Sequence, residues 1–120
     1  MFKENITDNT YQHLDISGKN EVKNFKDGIK YQSDSTIIKM ILKKEEGNIV
    51  LFAFDKEQGL IEHSASSDAF IFIIEGGIVF TISGENYKLI EGDTLTLPAN
   101  IPHSLFALKP TKMLLIVITR

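Results

Sequence analysis

Residues 62–77 read EHSASSDAFIFIIEGG, and residues 92–107 read GDTLTLPANIPHSLFA. Each stretch joins a histidine to an apolar run and a glycine turn. In the first, the polar lead-in with His63 gives way to AFIFII and then to Gly76-Gly77. In the second, Gly92-Asp93 opens the alternating TLTL, PANIP makes a turn, and His103 begins HSLFA. Two histidines, each set where a turn meets a strand, are the pattern of a site divided between two hairpins.

Outward from these stretches the chain keeps the same character. STIIKMILK (35–43) and NIVLFAF (48–54) flank the turn EEGN, and IVFTI (78–82), YKLI (87–90) and KMLLIVIT (112–119) follow. Short β-rich runs recurring every ~8–12 residues, with turn signals between them and no long helical period, predict an all-β sandwich or barrel. SGEN between IVFTI and YKLI predicts a hairpin, because Gly and Asn tolerate positive φ. Alternation assigns faces: Ile78, Phe80 and Ile82 share one side of their strand, and Leu95 and Leu97 oppose Thr94 and Thr96. MLLIVIT is apolar on both faces, as a central strand covered on both sides would be.

With 120 residues the chain suits one domain. Residues 1–34 are polar with scattered hydrophobes and read as a partly ordered arm that contacts a second subunit; a short strand and turn are expected between Leu14 and Val22, around Ser17-Gly18. Residues 35–120 form the barrel. The absence of cysteine excludes disulfides, thiolate metal sites and a cysteine nucleophile. A net charge of −3 with no basic stripe argues against a nucleic-acid partner. The apolar runs are too short for a bilayer and residues 1–20 hold no apolar leader, so a cytoplasmic protein without a membrane partner is expected. No phosphate-binding glycine loop, dinucleotide fingerprint or serine nucleophile elbow occurs.

The spacing of Gly92, Pro98, Asn100 and His103 resembles the second motif of the cupin superfamily, with Asn100 where the family often has glycine and Ala107 where it often has asparagine. The region from Gly59 to Gly76 resembles the first motif: His63 matches its first histidine and Gly76 its glycine, whereas Ala65 and Ala69 stand at the second-histidine and glutamate places. The resemblance spans roughly residues 35–118 and is closest to small single-domain bacterial cupins of the conserved-barrel type. It implies a cupin jelly-roll β-barrel, a double-stranded β-helix, with a small-molecule pocket inside.

The resemblance also implies where a site would be. Three histidines and a glutamate hold a metal in cupins that carry one; here two of the four are matched, by His63 and His103. Asp68 is a further carboxylate candidate, although alternation turns it away from the side that Ala69 faces. No cofactor is expected with force, and the metals such a set would take are Zn, Fe, Mn or Ni. Asp68 reads equally well as a cap of the turn SASSD. The pocket wall is expected from His63, Ala65, Ala69, Ile71, Ile73, His103 and Leu105. Two imidazoles in an otherwise apolar pocket would orient a carboxylate or carbonyl, or move a proton. His13 has no such context and reads as a surface residue. The expected function is small-molecule binding by a homodimer. A metal-dependent isomerase or dioxygenase with an altered ligand set, and a purely structural interaction domain, are the alternatives. Catalysis itself stays open.

Overall fold

Period-two alternation of β-branched and aromatic side chains gives strands and no helix among the residues that the computed structural model describes, 9–13 and 20–119. The strands are β1 (Asn9–His13), β2 (Thr36–Lys44), β3 (Gly47–Phe54), β4 (Gly59–His63), β5 (Asp68–Glu75), β6 (Gly77–Ile82), β7 (Glu85–Ile90), β8 (Thr94–Leu97), β9 (His103–Ala107) and β10 (Thr111–Ile118). They form two sheets, ordered β1-β2-β3-β10-β5-β8 and β4-β9-β6-β7. β1 runs parallel to β2, and the other pairings are antiparallel. This is the all-β jelly roll expected from the sequence. No helix among the described residues is long and apolar enough to cross a membrane.

The core lies between the sheets. Phe52 and Phe54 from β3, Ile71 and Ile73 from β5, and Met113 and Leu115 from β10 pack with Ile78 and Phe80 of β6 and Leu105 of β9. Their spacing of two puts each strand's set on one face. Phe52 and Phe54 stack with centroids 5.3 Å apart and planes 6° from parallel. β10 is central, between β3 and β5, which explains why both of its faces are apolar.

A second, smaller apolar layer covers the outer face of the larger sheet. Ile29 and Tyr31 pack there on Ile37, Leu51 and Ala53. A polar clasp holds the covering segment in place. Tyr31 donates its hydroxyl to Glu75 Oε2 at 2.5 Å, and Lys112 donates to the carbonyl of Lys26 while its Nζ lies 5.2 Å from the centre of the Tyr31 ring. Burial, reinforced by the Glu75 carboxylate, pushes the Tyr31 phenol well above its usual range.

Turn chemistry fixes the register. The β6–β7 hairpin has a two-residue loop in which Ser83 (φ 50°) and Gly84 (φ 84°) are both left-handed, which is a type I′ turn. The hairpin expected at SGEN is therefore present, but Ser83 rather than Asn86 takes the unusual φ; Asn86 already belongs to β7. Gly76 has φ 105°, and a Cβ there would stand 2.4 Å from Pro110 O and 2.5 Å from Thr111 Oγ1. Only glycine fits. The strand and turn expected around Ser17-Gly18 fall largely on residues 14–19, outside the described residues, and residues 20–22 are not strand.

Candidate functional site

β4 ends on His63 where β9 begins on His103, and the two residues are partners across these strands. The register of β4 on β9 shifts between Leu60 and His63. That irregularity lets two residues of opposite parity, Leu60 and His63, both line the interior, while Ile61 between them is 65% exposed. The imidazole centroids come to 4.4 Å, with planes tilted by 60°.

Two loops brace the histidines. The turn before His103 needs a left-handed residue, and Asn100 supplies it with φ 67°, as its place in the motif implied. Asn100 N–H donates to Ala65 O at 2.7 Å, and Ala99 N–H donates to Asp68 Oδ1 at 2.8 Å. Residues 64–68 and 98–102 are thereby fastened to each other at the barrel mouth. Asp68 serves that fastening across 31 residues of sequence.

Behind the mouth lies a cavity of about 30 Å³. One water needs ~10–15 Å³ on this measure, so the cavity takes two or three waters or a compact group of a few heavy atoms. His63, Ala65, Ala69, Ile71, His103 and Leu105 line it. Ile73 does not; it lies fully buried in the core, beyond the lining. The reading missed Phe80 and the whole β10 wall of Met113, Leu115 and Val117. Alternation in KMLLIVIT puts those three on one face and could have identified them. Apart from the two imidazoles, Ser67 is the one polar side chain of the lining.

The hydrogen bonds fix the tautomers. His63 Nδ1 lies 2.9 Å from Ile61 O, and His103 Nδ1 lies 2.9 Å from Ile101 O. A carbonyl oxygen only accepts, so each Nδ1 carries a proton that is committed to the backbone. Burial holds the His103 imidazole below its ordinary pKa; the Ile101 carbonyl opposes that effect and the neighbouring His63 adds to it. His103, only 9% exposed, is thus neutral at physiological pH. In its neutral form the His103 ring, with its Nδ1–H committed to the Ile101 carbonyl, has only Nε2 left, as an acceptor.

A backbone carbonyl on Nδ1 is also how metal-binding histidines are commonly oriented. The rest of the set does not fit a metal. Ala65 and Ala69 line the cavity where further ligands would stand, Asp68 is engaged with Ala99, and no group of three or more metal-ligating side chains occurs among the described residues. A catalytic metal ordinarily takes about three protein ligands. Two nitrogens fall short of that.

A small, mostly antiparallel barrel with an apolar cavity that carries paired histidines from two turn motifs defines a class of pocket-bearing jelly rolls. Within that class, residues 50–119 match the family model of the cupin domain, and the chain belongs to the cupin family. Its fold is similar to that of a conserved protein of unknown function from Streptococcus pyogenes, with 28% identity, a TM-score of 0.82, and 91% of this chain and 96% of that one covered. A cupin superfamily protein from Desulfitobacterium hafniense matches with 23% identity, a TM-score of 0.75, and coverage of 77% and 84%. An RmlC-like cupin from Desulfovibrio desulfuricans matches with 22% identity, a TM-score of 0.74, and coverage of 83% and 97%. At such identities these last two likenesses speak to the fold alone. No curated protein matches the chain.

Proposed function

We propose that this cupin binds a small organic molecule, or the compact apolar end of a larger one, in the barrel between His63 and His103. One observation carries the reading: a small cavity with almost wholly apolar walls ends on two orientation-locked imidazoles. Apolar walls supply affinity and a few fixed polar groups supply orientation, which is the usual division of labour in small-molecule sites. The reading favours binding over metal-dependent catalysis because the ligand set is short of donors. It favours binding over a purely structural role because the cavity reaches the histidines instead of being filled.

The test is a fragment titration watched on the methyl resonances of Ala65, Ala69, Ile71 and Leu115. Small neutral apolar fragments are expected to shift these methyls together and saturably. Shifts confined to surface methyls, or none at all, would count against the reading. Metal analysis after purification without affinity-column nickel is expected to find far less than one equivalent of Fe, Mn, Ni or Zn. A full equivalent would return the enzyme alternative to first place.

A further inference from the structure

We infer that the group the barrel admits is the end of an unbranched aliphatic chain, taken end-on past His63 and His103 and stopped at Met113, in preference to a branched or aromatic group. This rests on the reading of the cavity as a binding site and names the shape of ligand it accepts.

The register of the strands gives the depth. In the larger sheet the inward residues of β10, β5 and β8 stand in levels. Val117, Ala69 and Leu97 are cross-strand partners at the mouth, and all three line the cavity. Leu115 and Ile71 are partners one level down and line it too. At the third level Met113 touches the cavity while its partners Phe52 and Ile73 do not. Successive same-face residues on a strand are ~6.7 Å apart, so the three levels span ~13 Å.

The volume gives the width. About 30 Å³ holds two or three waters. Shared over three levels, that space runs in single file, one heavy atom abreast. A branch or a ring needs two abreast. The walls resist widening, because Ile71 and Val117 are β-branched and stiff at χ1 and the core around them is close-packed. The floor is sealed: Met113 is 1% exposed, and Phe52 and Ile73 beside it are 0% exposed. A straight chain matches this slot in section and buries its methylenes against Ile71, Leu115 and Met113 as it descends. The polar head of such a molecule stays at the mouth, where Ser67 both donates and accepts. Selection is by shape, so it holds in any protonation state of the two histidines.

Isomeric alcohols separate shape from chemistry. Butan-1-ol and tert-butanol carry the same atoms and the same hydroxyl group. They are titrated into the intact protein at pH 7.5 and followed on the methyls of Ala69, Ile71, Met113 and Leu115. Butan-1-ol is expected to bind about tenfold more tightly, the size of effect that forcing an extra methyl into a packed wall produces. In the series from propan-1-ol to octan-1-ol, each methylene is expected to gain about fourfold until the chain meets Met113, and nothing beyond it. Met113→Ala, which removes the floor, is expected to carry the gain on to longer chains. Tert-butanol binding as tightly as butan-1-ol overturns the inference while the cavity remains a binding site. So does a series that climbs to octan-1-ol without levelling, or a folded Met113→Ala variant whose series levels at the parent's length. The isomer pair and the series are read on the unaltered protein, so they decide the matter even where the variant fails to fold. If no alcohol shifts these methyls, the binding reading fails and the inference falls with it.

Discussion

At the scale of single residues, His103 couples the site to stability. Its folded-state pKa lies below the ordinary histidine value because burial disfavours the cation. The unfolded chain therefore takes up this proton first as the pH falls. The stabilisation is intact above the unfolded value of ~6.5 and is lost as the pH drops toward the folded value. Thermal melts are expected to show a falling melting temperature from pH 7.5 to 5, and His103→Gln is expected to remove part of that slope. An unchanged slope in the variant would show that other groups govern acid sensitivity. Gly76 makes a sharper case. Gly76→Ala puts a side chain on a φ of 105° and within 2.4 Å of Pro110 O. The backbone strain alone is worth about 1–3 kcal/mol, and the clash adds to it; chemical denaturation should show the loss. Legibility at this scale was uneven. Asn100 could be placed in the turn because it stands where the motif has glycine, and Asn tolerates positive φ. The task of Asp68 could not, because its partner Ala99 lies 31 positions away and is reached only after the barrel closes.

At the scale of elements, β4 is where the sequence was hardest to read. GLIEH has a glycine, two charged or titratable residues and one fully outward isoleucine, and its register on β9 is irregular. No clean alternation survives in five residues, so the strand that carries His63 is not among the runs that the sequence marks as strands. β10 was the opposite: its last six residues, MLLIVI, are all apolar, as suits a central strand. The element scale also allows a direct test of what the first motif has become. Ala65 and Ala69 share a cavity with His63 and His103. Ala65→His with Ala69→Glu would bring the site from two metal-ligating side chains to four. Cobalt titration should show the double variant binding at least a hundredfold more tightly than the parent, with metal raising its melting temperature by linkage. Without metal the variant should be less stable by ~1–3 kcal/mol, since two larger polar groups enter an apolar space. A folded variant that takes cobalt no better than the parent would mean that the two alanines do not occupy ligand positions.

At the scale of the whole molecule, two surfaces call for a partner. Among the described residues β1 stands at the edge of the larger sheet, paired with β2. On the same sheet, Phe70 and Ile118 are 40% and 54% exposed. Exposed strand edges and apolar sheet faces invite association, and a two-fold pairing of identical copies satisfies both chains at once. We expect a second copy to cover this sheet, giving light scattering twice the 13.5 kDa of one chain at micromolar concentration. A single-chain mass there would rule the pairing out.

The central position of β10 has a consequence for how the chain is made. β3 and β5 leave the ribosome first, yet neither can pair with the other: the place between them is reserved for a strand synthesised some 36 residues after the end of β5. Until then each offers one row of backbone groups and an apolar face to whatever is nearby. Closing the sheet joins Gly47–Phe54 to Thr111–Ile118, a contact between distant parts of the chain that must be formed late. Topologies of this kind fold slowly and expose sticky intermediates. Substitutions in β10 should therefore be felt first in the yield of soluble protein during synthesis, before any loss of stability is visible in the finished barrel.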